Sequence, residues 1–343
     1  MTANKTLIFK KVPEGTPVPG EHLAVEDRPI DIDTPPKGGL VVKVLYASFD
    51  PYLRGRMAPA NTKSYTPPFE LGGPFVNNIV AEVVRSDVAA FRPGDLVVAF
   101  GPLAQYARLE SADQVRKLEN PHGLELPHFL GALGMPGRTA YSGLHAIGKP
   151  RAGETLFVSS AAGAVGQLVG VLAKHEGLRV IGSVGSDDKL DYIVKELGFD
   201  AGFNYKKERT LDALKRLAPE GVDIYFENVG GQTLEDVLEV MNDHGRIVAC
   251  GMISQYNVPN DKRYGVKNLM QVVAKRLTFQ GFIVGDPGYG DVYDDELQRR
   301  VQPWIADGSF KAKLSITDGI DHAPEGFVGM LQGKNFGKAV LKI

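Results

Sequence analysis

Apolar and polar residues alternate in short runs through the first third of the chain. Residues 6–9, 40–47, 79–84, 95–100 and 105–109 have the β-branched and aromatic content of strands. Proline and glycine break these runs at Pro13, Pro35-Pro36, Gly72-Gly73-Pro74 and Pro93-Gly94, a texture that predicts a small, irregular β barrel. From about Gly134 the pattern changes. Residues 155–159 form an apolar run before a glycine turn, residues 164–175 have helical spacing, and Arg179–Val184 reads as the next strand. Ser186 can cap a helix running through Lys195, with Asp187 and Asp188 in its first turn. Residues 222–226, 246–249 and 277–282 read as further strands, with a helix over 234–241. This β-α-β alternation predicts an α/β fold with a doubly wound parallel sheet. After Trp304 the pattern shortens again, through residues 314–317 to Lys338–Lys342. The expected division is a β-rich domain over 1–133, an α/β domain over 134–307, and a return to the first domain over 308–343.

At 343 residues the chain exceeds what one hydrophobic core usually serves, which agrees with two domains. The balance of 39 basic against 41 acidic residues offers no field that would draw nucleic acid or an anionic membrane. Residues 156–173 carry no charge, but Ser159, Ser160, Gln167 and three glycines suit a strand, a turn and a buried helix better than a membrane span. Cys250 is the only cysteine, so no intrachain disulfide forms and no cysteine-rich metal lobe exists. The opening MTANKTLIFKK lacks a signal-like apolar core, and a cytoplasmic setting is expected.

Candidate chemistry begins at residues 158–170, VSSAAGAVGQLVG. The stretch is A-x-G-x-x-G, one residue short of a dinucleotide fingerprint, and lies between a strand and a helix. Gly163 lets the backbone approach a pyrophosphate, and Gly166 lets the helix pack close to the strand. Ala161 can serve in the first turn only with a negative φ. The next strand ends without the acidic residue that holds an NAD ribose. Gly185-Ser186-Asp187-Asp188-Lys189 follows instead, and Lys189 and Ser186 can receive a 2′-phosphate, which favours NADPH.

The chain resembles the medium-chain dehydrogenase/reductases, and within them the zinc-independent alkenal and enone double-bond reductases. The resemblance rests on FDPYLRGRM at 49–57, GMPGRTAY at 134–141, AAGAVGQLVG at 161–170, GSDDK at 185–189, FNYK at 203–206, ENVGG at 227–231, GRIVACGMISQYN at 245–257, QGF at 280–282 and GKNFGK at 333–338. It implies a GroES-like substrate domain, a Rossmann cofactor domain, an active site in the cleft between them, and a homodimer. It also implies NADPH contacts at Gly163, Ala164, Val165 and Gly166 for the pyrophosphate and at Lys189 and Tyr205, beside Gly185, for the 2′-phosphate. Asn228, Cys250, Gly251, Ile253, Ser254, Tyr256, Phe282, Ile283, Val284 and Asn335 would complete the cofactor groove. Glu227 stands where the family usually has aspartate, and Phe49 replaces a small residue.

Zinc relatives need Cys or His ligands, yet no cysteine precedes Cys250 and no histidine lies between His22 and His122. The chain is therefore expected to work without metal. The expected reaction is hydride transfer to the β-carbon of a small hydrophobic enal or enone. Tyr256, placed by the nicotinamide ribose through the resemblance, is expected to support enolate protonation. Tyr52 is expected to donate to the substrate carbonyl. Two rival readings are an NADP-linked dehydrogenase of a lipid or secondary-metabolite alcohol and a catalytically silent NADPH-binding protein. Arg54 and Arg56 are expected in surface or interdomain ion pairs.

Overall fold

The β texture of the first third resolves, in a computed structural model describing residues 1–343, into a unit made of Met1–Leu130 with Leu314–Ile343. A second unit is Gly131–Lys313. In the first, β1 (Lys5–Phe9) pairs antiparallel with β2 (Leu23–Asp27). The strands β3 (Leu40–Ser48), β4 (Val76–Ser86), β5 (Leu96–Pro102), β6 (Tyr106–Leu109) and β7 (Arg116–Lys117) follow, with a single helical turn, α1 (Leu53–Arg56), after β3. Along β3, Leu40, Val42 and Val44 are sealed in the core while Lys43 faces solvent. The β3–β4 register shifts twice, between Val41 and Val42 and between Val44 and Tyr46. Such irregularities bend strands and help the sheet curl.

The second unit opens on α2 (Met135–Ser142) and then alternates strand and helix: β8 (Thr155–Val158), α3 (Gly166–His175), β9 (Arg179–Val184), α4 (Asp187–Asp191), β10 (Ala201–Asn204), α5 (Thr210–Leu217), β11 (Val222–Glu227), α6 (Gly231–Val240) and β12 (Met241–Ala249). α7 (Met270–Ala274), β13 (Thr278–Gly281) and α8 (Asp294–Ala306) complete it. The sheet order is β10-β9-β8-β11-β12-β13 and every pairing is parallel. This is the doubly wound dinucleotide-binding order, whose direction of winding reverses between β8 and β11. All four residues of β8 are buried, as a central parallel strand requires. Phe157 stacks between Phe203 at 5.9 Å and Tyr225 at 5.2 Å. Burying each such ring contributes roughly 1.5–3 kcal/mol.

The chain then returns to the first unit through β14 (Leu314–Asp318), α9 (Ala323–Leu331) and β15 (Lys338–Lys342). β15 pairs antiparallel with β3, giving the sheet β14-β15-β3-β4-β5-β7, with β6 also on β3. Phe327 of α9 lies 6.0 Å from Phe49 and 5.5 Å from Phe75, so the C-terminal segment completes this unit's aromatic core. No helix is long and apolar enough to cross a membrane.

Candidate functional site

In a doubly wound sheet, ligands bind beyond the strand ends at the winding reversal. Here that point is the C-terminal edge of β8 and β11, which pair from Leu156 and Ile224 to Val158 and Phe226. The turn after β8 uses Ser160, at φ +55°, as its left-handed residue, and Ala161 keeps a negative φ. Ala161 is buried and its N–H bonds Ser183 O at 2.9 Å, tying the turn to β9. Gly163 N–H bonds Ser160 O at 2.9 Å. The next three N–H groups, of Ala164, Val165 and Gly166, have no backbone acceptor, and no side chain caps α3. A Cβ at Gly166 would lie 2.4 Å from Ser160 O and 2.9 Å from Ala161 Cα. The helix start is thus held against the strand with orphan donors facing outward, which fits a pyrophosphate.

The adenosine side follows β9. Gly185 leads to Ser186, whose extended backbone starts α4. Tyr205 sits over Gly185, its hydroxyl oxygen 3.0 Å from where a Cβ would be. Lys189 is half-buried, and desolvation holds its amine below the ordinary lysine range, while Asp188 pulls it back up and Lys206 adds like-charge repulsion. An anion between Lys189 and Lys206 would relieve that repulsion, so this corner fits a 2′-phosphate. Asp187 does not oppose it, because its carboxylate is engaged by Asn204 Nδ2 at 2.9 Å and by Lys207. Lys206 was not singled out from the sequence; its place in the quoted FNYK segment was the available signal.

Beyond β11, Glu227 organises the second turn. Its buried Oε1 accepts from Tyr225 OH at 2.7 Å, Val229 N–H at 2.6 Å and Gly230 N–H at 2.9 Å. Oε2 is buried without a hydrogen-bond partner, and desolvation raises the Glu227 pKa. Asn228 Nδ2 donates to Ser159 O at 2.8 Å, and Asn228 N–H to Ser159 Oγ at 3.0 Å, joining the two turns. The segment after β12 docks on this turn: Ile253 N–H bonds Asn228 O and Ser254 N–H bonds Val229 O, both at 3.1 Å. Cys250 and Gly251 N–H groups both donate to Glu227 O at 3.0 Å. Burial pushes the Cys250 thiol up to about 12, which makes it a packing residue rather than a nucleophile. Tyr256 is half-buried and its phenol oxygen accepts from Met252 N–H at 3.2 Å. Phe282 follows β13, with its ring 5.3 Å from Tyr289 and its edge over Gly143; Ile283 and Val284 are half-buried beside it in sequence. Gly163 to Gly166, Gly185, Lys189, Tyr205, Asn228, the 250–256 segment and Phe282 to Val284 all belong to the second unit.

Tyr52 and Asn335 belong to the first unit. Asn335 Nδ2 donates to Gly337 O at 2.7 Å. Tyr52 precedes α1 and donates its hydroxyl proton to Asn77 Oδ1 at 2.8 Å. Asn77 Nδ2 in turn donates to Asp50 Oδ2 at 2.9 Å and Ser48 O at 2.8 Å. Ser48 Oγ also donates to Asp50, and Lys338 Nζ donates to Asp50 Oδ1 at 2.8 Å and Phe49 O at 2.5 Å. Asp50, Asn77 and Lys338 were not found from the sequence, because β3, β4 and β15 bring them together over large separations. Arg54 and Arg56 depart from the expected surface or interdomain pairs. Both are buried, Arg54 on Gly15 O at 2.9 Å and Arg56 on Pro67 O and Val76 O at 3.0 Å, with Arg56 4.1 Å from the Phe69 ring centroid. Their guanidiniums satisfy loop carbonyls and, at Val76, the first carbonyl of β4.

Two family models match the chain: "Zinc-binding dehydrogenase" over residues 164–299 and "N-terminal domain of oxidoreductase" over residues 5–118. The zinc in the first description does not fit these residues, since no three His, Cys, Asp or Glu side chains are grouped to hold a metal ion. An NADP-dependent oxidoreductase, RED1, of Cochliobolus heterostrophus is 53% identical, across 100% of this chain and 98% of the relative. A 2-alkenal reductase (NADP(+)-dependent) of Nicotiana tabacum is 41% identical, across 99% of this chain and 98% of the relative. The solved structure of CurA from Vibrio vulnificus in complex with NADPH superposes with a TM-score of 0.89 at 34% identity, covering 98% of each chain.

Proposed function

The chain belongs to the medium-chain dehydrogenase/reductase family, and from that premise we propose that it is an NADPH-dependent reductase of the C=C bond of α,β-unsaturated aldehydes and ketones. The observation that carries the reading is the pair of turns at the winding reversal, one with orphan N–H donors and the other bearing the Tyr256 segment. When bound, NADPH supplies a hydride for the β-carbon of the conjugated carbonyl.

The chain's own residues do the rest. Ala164, Val165 and Gly166 hold the pyrophosphate through backbone N–H groups, with Gly163 allowing close approach. Lys189 and Tyr205, with Lys206 and Gly185 beneath the Tyr205 ring, hold the 2′-phosphate. Asn228, Cys250, Gly251, Ile253, Ser254, Phe282, Ile283 and Val284 shape the remaining groove and exclude water. Tyr256 holds a proton at its phenol oxygen for the enolate, and the bond it accepts from Met252 N–H strengthens that hydroxyl as a donor. Tyr52 is the second hydroxyl contact to substrate. Residues 134–307 form the NADPH-binding domain in this reading, and residues 1–133 with 308–343 form the substrate domain.

The substrate is small and hydrophobic, as an alkenal-reducing relative suggests. We place the protein in the reducing cytoplasm, which suits a lone thiol. We also propose a homodimer formed along β13. β13 ends its sheet with one edge unpaired, and Leu269, Met270 and Val273, shortly before it in the chain, are 50%, 73% and 67% exposed.

The test is to incubate the enzyme with an enone and either NADPH or NADH. Loss of NADPH absorbance with formation of the saturated carbonyl supports the reading. An alcohol product, or faster turnover with NADH, overturns it.

A further inference from the structure

We propose that Gln167 is a positioning residue for the cofactor: its buried amide ties the pyrophosphate turn to residues 311–313, so that filling the turn orders the segment from which the chain leaves for β14. The proposal rests on the reading of the turn after β8 as the pyrophosphate site.

Residues 311–313 lie between α8 and β14 and belong to no helix or strand. A main chain outside regular structure must still place its N–H and C=O groups. Here two side chains of the second unit take them. Gln167 Oε1 accepts from Lys313 N–H at 3.0 Å, and Gln167 Nε2 donates to Lys313 O at 3.3 Å. Tyr192 OH lies 2.6 Å from Gln167 Oε1 and 3.0 Å from Lys311 O. The N–H of Lys313 fixes which end of the amide is oxygen. The side chain therefore meets Lys313 as one strand residue meets its partner, giving one bond to it and receiving one from it.

The surroundings give no other reason for a glutamine. Gly166 to Ala173 are all buried, and Gln167, itself 1% exposed, is the one polar side chain among them. Burying an amide is costly unless it is hydrogen-bonded, whereas an apolar side chain would fill the space without needing partners. The grip on Lys313 is what this residue adds.

The main chain of Gln167 belongs to the cofactor turn. It follows directly on Ala164, Val165 and Gly166, whose N–H groups have no backbone acceptor, and its own N–H bonds Gly163 O at 3.1 Å. An anion held by those N–H groups fixes the first turn of α3, and with it the base of the Gln167 side chain. Less freedom at the base is a firmer hold at Lys313. The coupling is reciprocal: the clasp favours the cofactor by the same factor as the cofactor favours the clasp.

Hydrogen exchange of the full chain with and without NADP⁺ tests this. It is read by mass spectrometry with residue-resolved fragmentation over residues 308–316, and NADP⁺ affinity is measured separately by calorimetry. NADP⁺ should slow exchange at the Lys313 N–H about tenfold, a usual size for coupling between sites. Gln167→Met, of similar length but without either bond, should abolish that slowing and weaken NADP⁺ binding by about the same factor. Tyr192→Phe removes only the hydroxyl and should reduce both effects. The Phe310 N–H, bonded to Trp304 O at 2.8 Å, is the internal reference and should exchange alike in all three proteins. A role confined to stability would speed exchange at Lys313 in the variants yet leave the response to NADP⁺ intact, and that result overturns the proposal. So does a wild type that binds NADP⁺ with exchange at Lys313 unchanged. Failure of the wild type to bind NADP⁺ would overturn the cofactor reading, and this proposal with it.

Discussion

Lys338 Nζ lies 2.8 Å from Asp50 Oδ1, and their side chains are only 1% and 5% exposed. One comes from β15 and the other from the residues just after β3, so the pair fastens the returning C-terminal segment to the first unit. Desolvation pulls the lysine pKa down and the aspartate pulls it back up. Breaking such a pair strands a charge in the core.

Lys338→Met and Asp50→Asn should each destabilise the protein by about 3–5 kcal/mol, and the double variant should lose less than the two together. Urea unfolding checks this. Additive losses would mean that the two side chains are not coupled.

Gly166→Ala should weaken NADPH binding by more than tenfold. Its Cβ would sit 2.4 Å from Ser160 O, so the helix start must move away from the turn. Titration of cofactor fluorescence reads the affinity, and circular dichroism confirms that the variant is folded. Wild-type affinity in a folded variant would remove these orphan donors from the cofactor site.

Lys206→Ala should raise the KM for NADPH about tenfold while leaving that for NADH nearly unchanged, since only NADPH carries the 2′-phosphate. Lys189→Ala should act in the same direction. Parallel changes for both cofactors would mean that these lysines support the fold rather than the phosphate.

Glu227 provides a pH test. Desolvation raises its folded-state pKa above the ordinary value of 4.5. The folded protein therefore binds this proton more tightly than the unfolded chain does. The stabilisation is full below the unfolded pKa and is lost as pH rises through the folded one. The urea midpoint of wild type, relative to Glu227→Gln, should be flat below pH 4.5, fall above it, and level off. Parallel curves would show that the carboxyl titrates normally.

What could be read from the sequence tracks how local the cause was. Arg179–Val184 and Lys338–Lys342 appear with the expected bounds, because their apolar runs fill a sheet interior directly. The doubly wound order followed from alternation alone. α9 was not anticipated: Ala323–Leu331 contains a proline and two glycines, and it is a helix because Phe327 is buried against Phe49 and Phe75. α8 has no counterpart among the expected elements, since only Leu297, Val301 and Gln302 of its residues are buried. The helix expected from Ser186 through Lys195 instead tightens into α4 over Asp187–Asp191 and continues as a wider π turn over Tyr192–Glu196. At the site, the glycine turn was legible because helix and strand lie next to each other in sequence. The direction of the Tyr52 hydrogen bond was not, because it is set by Asn77, Asp50 and Lys338 from three separate strands or strand ends.

The most direct measurement of the central claim is the position of the label after reduction of an unsaturated ketone with NADPH deuterated at nicotinamide C4. Mass spectrometry and NMR of the product should find a saturated ketone with deuterium on the former β-carbon. Deuterium on the carbonyl carbon of an alcohol would contradict the account.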